Sequence, residues 1–190
     1  MINIKGGLLT LIIAVCILFA GIAVYIWLGW YNVAANVPHW KITHWFLEKV
    51  RERSISAHSK GIIVPSLNNP KLMVAGFRNY REMCRLCHGA PGYSPTEIAK
   101  GLYPPPPDLT KEESGKDRND AQFYWVIKNG IKMTGMAAFG PTHKEQEIWG
   151  VVAFLRRLPD LKPGEYEAKV KAAGLHEERE DGHSHGHKPR

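Results

Sequence analysis

The sequence predicts an all-α fold, in which an N-terminal transmembrane helix is followed by a single helical domain. A run of 24 residues from Gly7 to Trp30 contains no charged side chain, which is typical of a membrane span. Beyond it, apolar residues recur at helical spacing in segments that proline and glycine separate. A Cys-x-x-Cys-His motif lies within this helical region at residues 84–88. The 190 residues suffice for one domain with an anchor and a tail.

Residues 1–31 are predicted to be a membrane anchor. The apolar run can span a hydrocarbon core of about 30 Å, and the aromatic residues at its end are typical of the membrane interface. These residues are Tyr25, Trp27, Trp30 and Tyr31. The alternative is a cleaved secretory signal, for which Val33 to Ala35 offers small residues past the run. The run exceeds the apolar region of about 7–15 residues in such signals, so we favour the anchor.

Residues 32–69 are predicted to connect the anchor to the domain and to include an amphipathic helix from Trp40 to Arg53. Its apolar residues are Ile42, Trp45, Phe46, Leu47 and Val50, with charged residues between them. This helix can lie along the membrane surface, pack against the domain, or act as a linker only. We expect His39, His44 and His58 to be surface or interfacial residues.

The motif Cys84 to His88 has the spacing at which two thiols and one imidazole hold a single haem. A thioredoxin-like redox pair needs a βαβ context, and no strand pattern flanks this motif. A structural zinc site needs further ligands at paired spacing, and the remaining cysteine, Cys16, lies in the apolar run. The motif therefore predicts one covalently attached haem.

Two helices on either side of this motif are predicted to cross. Residues 71–83 have apolar side chains at helical spacing and include Gly76, which a helix tolerates best where another helix approaches closely. The partner is a helix that contains Ile148 to Leu155, for which residues 142–145 are predicted to form a capping box that begins with Thr142.

The segment between these helices is predicted to contain two short helices and two loops. The first helix is predicted from Tyr93 to Gly101, and the second is capped by Asn119 or Asp120. The proline run from Tyr103 to Asp108 must be extended, and one of its carbonyls can accept the Nδ1 proton of His88. The alternative is that the run is only a stiff spacer.

The loop from Ile131 to Gly140 contains Met133 and Met136. A methionine flanked by glycine can turn its thioether toward a haem iron, but a buried methionine is also common as core filling. Spacing alone leaves both roles open.

Several motifs in order resemble a class I c-type cytochrome, and most closely a membrane-anchored monohaem module similar to the third subunit of cbb3-type oxidases. These motifs are Cys84 to His88, Leu102 to Leu109, Asn129 to Met136 and the closing helix Glu147 to Leu158. The resemblance covers roughly Pro70 to Pro159 and implies a cytochrome c domain at residues 70–160.

The resemblance also implies a set of haem-binding residues. Cys84 and Cys87 would hold one haem c by thioethers, with His88 as the proximal ligand and Met136 as the distal one. Met133 is the alternative distal ligand. Members of the family often have proline after this methionine, where this chain has Ala137.

Two filled axial positions favour electron transfer over catalysis, so we expect an electron-transfer protein and not an enzyme. The expected function is a membrane-tethered monohaem cytochrome that carries single electrons between periplasmic or membrane partners of a respiratory chain. It would be held in the bacterial cytoplasmic membrane with its haem domain in the periplasm. The alternatives are a haem c subunit of a larger membrane oxidoreductase, or a haem-based gas sensor if Met136 binds iron weakly.

Charge and composition suggest the partners. Residues 38–85 contain nine lysines or arginines against three glutamates, which can attract an acidic redox partner or anionic lipid. We expect no nucleic-acid partner. Residues 161–190 are predicted to form a polar tail whose histidines either chelate copper, nickel or zinc or are simply solvated. These histidines are His176, His183, His185 and His187.

Overall fold

A computed structural model describes residues 4–113 and 118–175 of the chain. Of the predicted tail, residues 161–175 are among these residues, whereas His176, His183, His185 and His187 lie outside them. Within them the regular structure is helical, apart from one isolated bridge between Ala90 and Tyr93, which confirms the all-α prediction. The chain divides into two compact units between His39 and Trp40.

The first unit contains helix α1, Ile4–Trp27. Its part from Gly6 to Trp27 is the one helix among the described residues that is long and apolar enough to cross a membrane. Because the criterion is length and composition, it fits an anchor and equally fits a signal sequence.

The second unit contains a succession of short helices. They are α2 (Lys41–His58), α3 (Pro70–Asn79), a π-helical turn (Tyr80–Cys84), α4 (Arg85–His88), α5 (Glu97–Gly101), α6 (Asp120–Asn129), α7 (Glu145–Leu155), a 3₁₀ turn (Leu158–Asp160) and α8 (Pro163–Ala172).

The first turn of α6 confirms one predicted cap, while that of α7 corrects another. Asn119 and Gln122 form a reciprocal capping box, with each side chain accepting a backbone N–H of the other. The prediction that Thr142 begins the capping box of α7 is wrong. The Thr142 hydroxyl donates to the Phe139 carbonyl in the preceding turn. The N-cap is instead Lys144, two residues later, whose N–H donates to the Glu147 carboxylate at 2.7 Å.

Helices α3 and α7 cross with almost no space between their backbones. A Cβ atom on Gly76 would lie 1.8 Å from the carbonyl oxygen of Gly150. A Cβ atom on Gly150 would lie 2.9 Å from the carbonyl oxygen of Leu72. Real Cβ contacts are longer than this, so both helices require glycine here. The predicted close crossing at Gly76 is confirmed.

A group of aromatic rings fills the space beside this crossing. The Phe77 ring lies 5.4 Å from Phe154 and 5.4 Å from Tyr166, both with edge-to-face geometry. Tyr80 packs against Phe154 at 5.2 Å. Since Tyr166 lies on α8, the core that α3 and α7 share continues past Pro159, although the division of the chain at residue 160 stays a prediction.

Helix α2 packs against α6 within the second unit. Ile55 is 1% exposed, and the His58 ring lies 5.6 Å from the Trp125 ring. The opposite, N-terminal part of α2 keeps its large apolar side chains exposed, among them Trp45 and Phe46. The helix thus has a packed C-terminal half and an unpacked apolar surface.

The helix crossing leads to a stability prediction. We expect Gly76→Ala to lower the free energy of unfolding of the holoprotein by at least about 1–3 kcal/mol, because the new methyl group overlaps a backbone oxygen that cannot move aside. Denaturant unfolding in detergent measures this. Gly164→Ala is the matched control, since a Cβ atom there meets nothing within 4 Å. Equal stability of the two variants would contradict the prediction.

Candidate haem-binding site

The Cys-x-x-Cys-His motif lies where the helix that begins as α3 changes its winding. Over Tyr80–Cys84 the helix is π-helical, and the Arg85 N–H bonds to the Tyr80 carbonyl five residues earlier. Such turns insert an extra residue and are frequent at functional sites. The turn re-aims the final helical segment, α4, which ends at Gly89 with a φ of 79°.

Tyr80 holds the end of this motif from inside the core. Its side chain is fully buried, and its hydroxyl donates to the Gly89 carbonyl at 2.7 Å. Burial raises the pKa of Tyr80 far above its ordinary value, so the phenol remains a donor at any physiological pH. The bond fixes the position of the chain directly after His88.

A cavity of about 650 Å³ opens beside the motif. This volume falls within the range of about 300–1,000 Å³ that cofactor pockets occupy. Its walls are mainly apolar and include the proline run, with a few charged side chains from α2 and the segment before α6. The lining residues include Cys84, Cys87, His88, Leu102, Pro104, Pro105, Pro106, Pro107, Phe123, Ile127, Met136, Val151 and Leu155.

His88 is oriented by the proline run. Its Nδ1 lies 2.9 Å from the carbonyl oxygen of Pro107, and the Leu109 N–H donates to the His88 carbonyl at 3.0 Å. Because a carbonyl only accepts, Nδ1 is the protonated nitrogen and Nε2 keeps its lone pair. The predicted hydrogen bond from the proline run is confirmed, and the run is more than a spacer.

The imidazole is suited to binding a metal. Burial lowers the pKa of His88, against smaller opposing effects of the Pro107 hydrogen bond and the Asp108 carboxylate. The ring is therefore neutral at pH 7, the form in which histidine binds iron. The hydrogen bond to the carbonyl raises the basicity of the ligating nitrogen.

The surroundings of the two cysteines differ from those of a structural zinc site. Burial, with a smaller effect of Cys87, raises the pKa of Cys84 to about 12. Before it reacts, Cys84 is therefore a thiol at neutral pH. Among residues 4–113 and 118–175, no group of three His, Cys, Asp or Glu side chains is arranged to hold a metal ion.

The loop after α6 brings Met136 to the cavity and leaves Met133 in solvent. Met136 is part of the cavity wall, while Met133 is 99% exposed with a φ of 57°. The Ile131 N–H donates to the Met136 carbonyl at 3.0 Å, and the Met136 N–H donates to the Thr134 hydroxyl at 3.1 Å. The loop is thus closed on itself with Met136 facing inward.

Gly130 makes this loop possible. It has a φ of 65°, and a Cβ atom there would lie 2.7 Å from the Met136 carbonyl oxygen and 2.8 Å from the backbone of Ala137. Gly135 is also confined, since its Cβ atom would lie 2.7 Å from the Leu102 side chain. Glycine at both positions lets the methionine loop lie against its neighbours.

All four predicted site residues, Cys84, Cys87, His88 and Met136, line the one cavity. Two thiols and an imidazole on one short helix, a thioether on another segment and apolar walls between them are the donor set that haem c requires. The residues present therefore fit this cofactor.

Sequence reasoning missed the charged residues of the cavity wall. Glu48, Arg51 and Glu52 on α2 line the cavity, as does Arg118 before α6. On an amphipathic helix such charges normally face solvent, so nothing in the sequence distinguishes them. Only the packing of α2 on α6 brings them to the site.

Residues 72–155 match the family model of cytochrome c oxidase, cbb3-type, subunit III. No curated protein matches the chain. The matched residues form a c-type cytochrome domain similar to that subunit, and a domain of this kind binds haem c. Helices α1, α2 and α8 lie outside the match.

Gly130 provides a test of the loop geometry. We expect Gly130→Ala to destabilise the holoprotein in denaturant unfolding by about 1–3 kcal/mol more than Gly174→Ala does. Gly174 is a matched control, because its φ of 66° imposes the same backbone strain but its Cβ atom would meet nothing within 4 Å. If the two variants lose equal stability, crowding by the methionine loop is not the cause.

Proposed function

We propose that this c-type cytochrome domain carries single electrons as part of a membrane-tethered protein, with His88 and Met136 as the axial ligands of its haem iron. The observation that supports this most is the shared cavity, to which His88 and Met136 come from different segments of the chain. Cys84 and Cys87 would bind the haem through thioethers.

The two proposed ligands offer different donor atoms to the iron. His88 offers Nε2, because Pro107 holds its other nitrogen. Met136 offers a soft sulfur, which stabilises the ferrous state and raises the reduction potential. When bound, haem c supplies an iron that gains and loses one electron.

A site of this kind favours electron transfer over substrate chemistry. With histidine and methionine as ligands, no axial position is left for a substrate or gas. The hydrogen-bonded loop holds Met136 and the Pro107 carbonyl holds the partly buried His88, so little has to reorganise when the charge changes. Gly135 and Ala137 line the cavity and are exposed, and such small side chains allow a partner to approach closely.

The apolar helix α1 and the cytochrome domain together suggest an exported haem domain held at a membrane. We infer that α1 remains in the bacterial cytoplasmic membrane and that the domain works in the periplasm, as part of a respiratory chain. The basic excess of residues 38–85 favours an acidic partner protein. Binding of copper, nickel or zinc by the tail histidines stays a prediction from composition.

A second candidate function is that of a fixed haem c subunit in a larger membrane oxidoreductase. The exposed apolar surface of α2 favours it, because a large apolar surface commonly marks an interface. Trp40, Ile42, Trp45 and Phe46 are each more than half exposed on this surface.

Purification in a mild detergent separates the two candidates. A free carrier is expected to elute from size-exclusion chromatography as the single haem protein. Co-elution with other membrane proteins in fixed stoichiometry would instead make it a subunit. We expect Trp45→Ser with Phe46→Ser to release such partners, whereas Met133→Ser, which also changes an exposed apolar residue, would leave them bound.

The ligands are tested by absorption spectra of the detergent-extracted protein, made in cells able to attach haem c. We expect the ferric wild type to show the weak far-red band of sulfur bound to iron. Met136→Ala is expected to lose the band, because it removes the proposed sulfur ligand; Met83, the other methionine of the cavity wall, directly precedes Cys84 in the chain. Met133→Ala should keep it, because that side chain lies in solvent.

Reaction with carbon monoxide tests whether an axial position of the iron is open to a gas. The reduced wild type is expected to bind carbon monoxide poorly and the Met136→Ala variant to bind it readily. A wild type that is high-spin or binds carbon monoxide readily would contradict the carrier and favour gas sensing.

A further inference from the structure

Helix α2 contributes a charged network to the wall of the haem cavity. Arg118 Nη2 donates to Glu52 Oε1 at 2.7 Å, and Arg51 Nε donates to the same oxygen at 3.0 Å. Arg51 also lies 3.7 Å from Glu48. All four side chains line the cavity. Three of them, Glu48, Arg51 and Glu52, precede the segment that matches the cytochrome family.

One hydrogen-bond donor of this network has no partner. Arg118 is 22% exposed, but its Nη1 atom is buried and forms no hydrogen bond within residues 4–113 and 118–175. A buried guanidinium nitrogen without an acceptor is costly, and proteins rarely leave one unsatisfied. Arg118 therefore lacks an acceptor that belongs in the cavity, where its side chain lies.

Haem carries an acceptor of the required kind. Its two propionate carboxylates lie on the half of the ring opposite to the groups that bind cysteine, and the remaining cavity wall is mainly apolar or proline. Carboxylates bind guanidinium groups by charge-assisted hydrogen bonds. Of the two cavity arginines, Arg51 is already paired with Glu48 and Glu52, whereas Arg118 keeps a free donor.

We propose that Arg118 donates a hydrogen bond from Nη1 to a haem propionate and that Glu52 on α2 is the positioning residue for Arg118. This inference rests on the proposed haem site. The Glu52 carboxylate holds Nη2 of the guanidinium, which leaves Nη1 as the donor available to a group in the cavity that Arg118 lines. Helix α2 thus takes part in the haem site through a contact that the cytochrome segment alone does not contain.

The pairing has a consequence for the reduction potential. A guanidinium beside a propionate offsets negative charge close to the iron, which disfavours the ferric state and raises the potential. Glu48, Glu52 and Glu113 also line the cavity and act in the opposite direction. Loss of Arg118 removes a positive charge that offsets the negative charges of these carboxylates and the propionate, so the reduction potential falls.

The test measures midpoint potentials of the full-length holoprotein in detergent, together with the propionate bending band in resonance Raman spectra. We expect Arg118→Gln to lower the potential and shift the band. Arg118→Lys is expected to lower the potential less than Arg118→Gln does, since lysine keeps the charge but cannot bond to Glu52 and the propionate together. Lys128→Gln is the matched control. Lys128 forms an ion pair with Glu145 at the same distance of 2.7 Å, and neither residue lines the cavity.

Glu52→Asp tests the positioning role at constant charge. Shortening the side chain by one carbon withdraws the anchor of Arg118, so we expect a smaller fall in potential than in Arg118→Gln and a shift of the propionate band in the same direction. This conservative variant also keeps the test possible if Arg118→Gln fails to fold.

Two results would overturn the inference. The first is that Arg118→Gln changes the midpoint potential and the propionate band, relative to the wild type, no more than Lys128→Gln does. The other, should Arg118→Gln fail to fold, is an unchanged potential and band in Glu52→Asp. Either result would leave the haem site intact, whereas failure of the proposed site itself would appear in the wild type as the absence of a c-type haem spectrum.

Discussion

The close crossing of α3 and α7 is the constraint on which the second unit depends. Gly76 and Gly150 bring the two backbones into contact, which leaves no freedom for either helix to slide or rotate. The aromatic side chains of both helices then fill the space beside the contact, and Tyr166 of α8 closes it. Since the chain from α3 runs through the π-helical turn into α4, this crossing also determines where the two cysteines and His88 lie.

The two proposed haem ligands are held by backbone groups as much as by side chains. Proline has no N–H, so a carbonyl in a proline run has no competing ladder partner and is free to accept from a histidine. Pro107 does so for His88, and the Tyr80 hydroxyl fixes the chain on the other side of that residue. The methionine loop uses the same principle, because Met136 is bonded to Ile131 and Thr134 through its backbone. Each proposed ligand is therefore positioned by contacts of the protein itself.

Features that depend on the properties of a single residue type could be predicted from the sequence. Features that depend on packing between distant segments could not. The cap at Asn119, the glycine at the helix crossing and the carbonyl bonded to His88 each follow from what one residue type can or cannot do. Thr142 was misassigned because two overlapping segments have capping potential, and only the turn that precedes α7 decides between them. The π-helical turn has no residue signature. Nor do the charges of α2 differ in sequence from charges that face solvent.

The residues proposed to bind haem and the charges on α2 that can change its reduction potential therefore lie in different parts of the chain. The segment that matches the family contains the cysteines, His88 and Met136, which we propose to hold haem c and to give it a potential typical of such ligands. Glu52 lies outside that segment and still reaches the cavity by its ion pair with Arg118. In an apolar cavity charges are weakly screened, so the charged residues of α2 can change the reduction potential. Such an arrangement allows the connecting helix to vary the potential while the ligands stay the same.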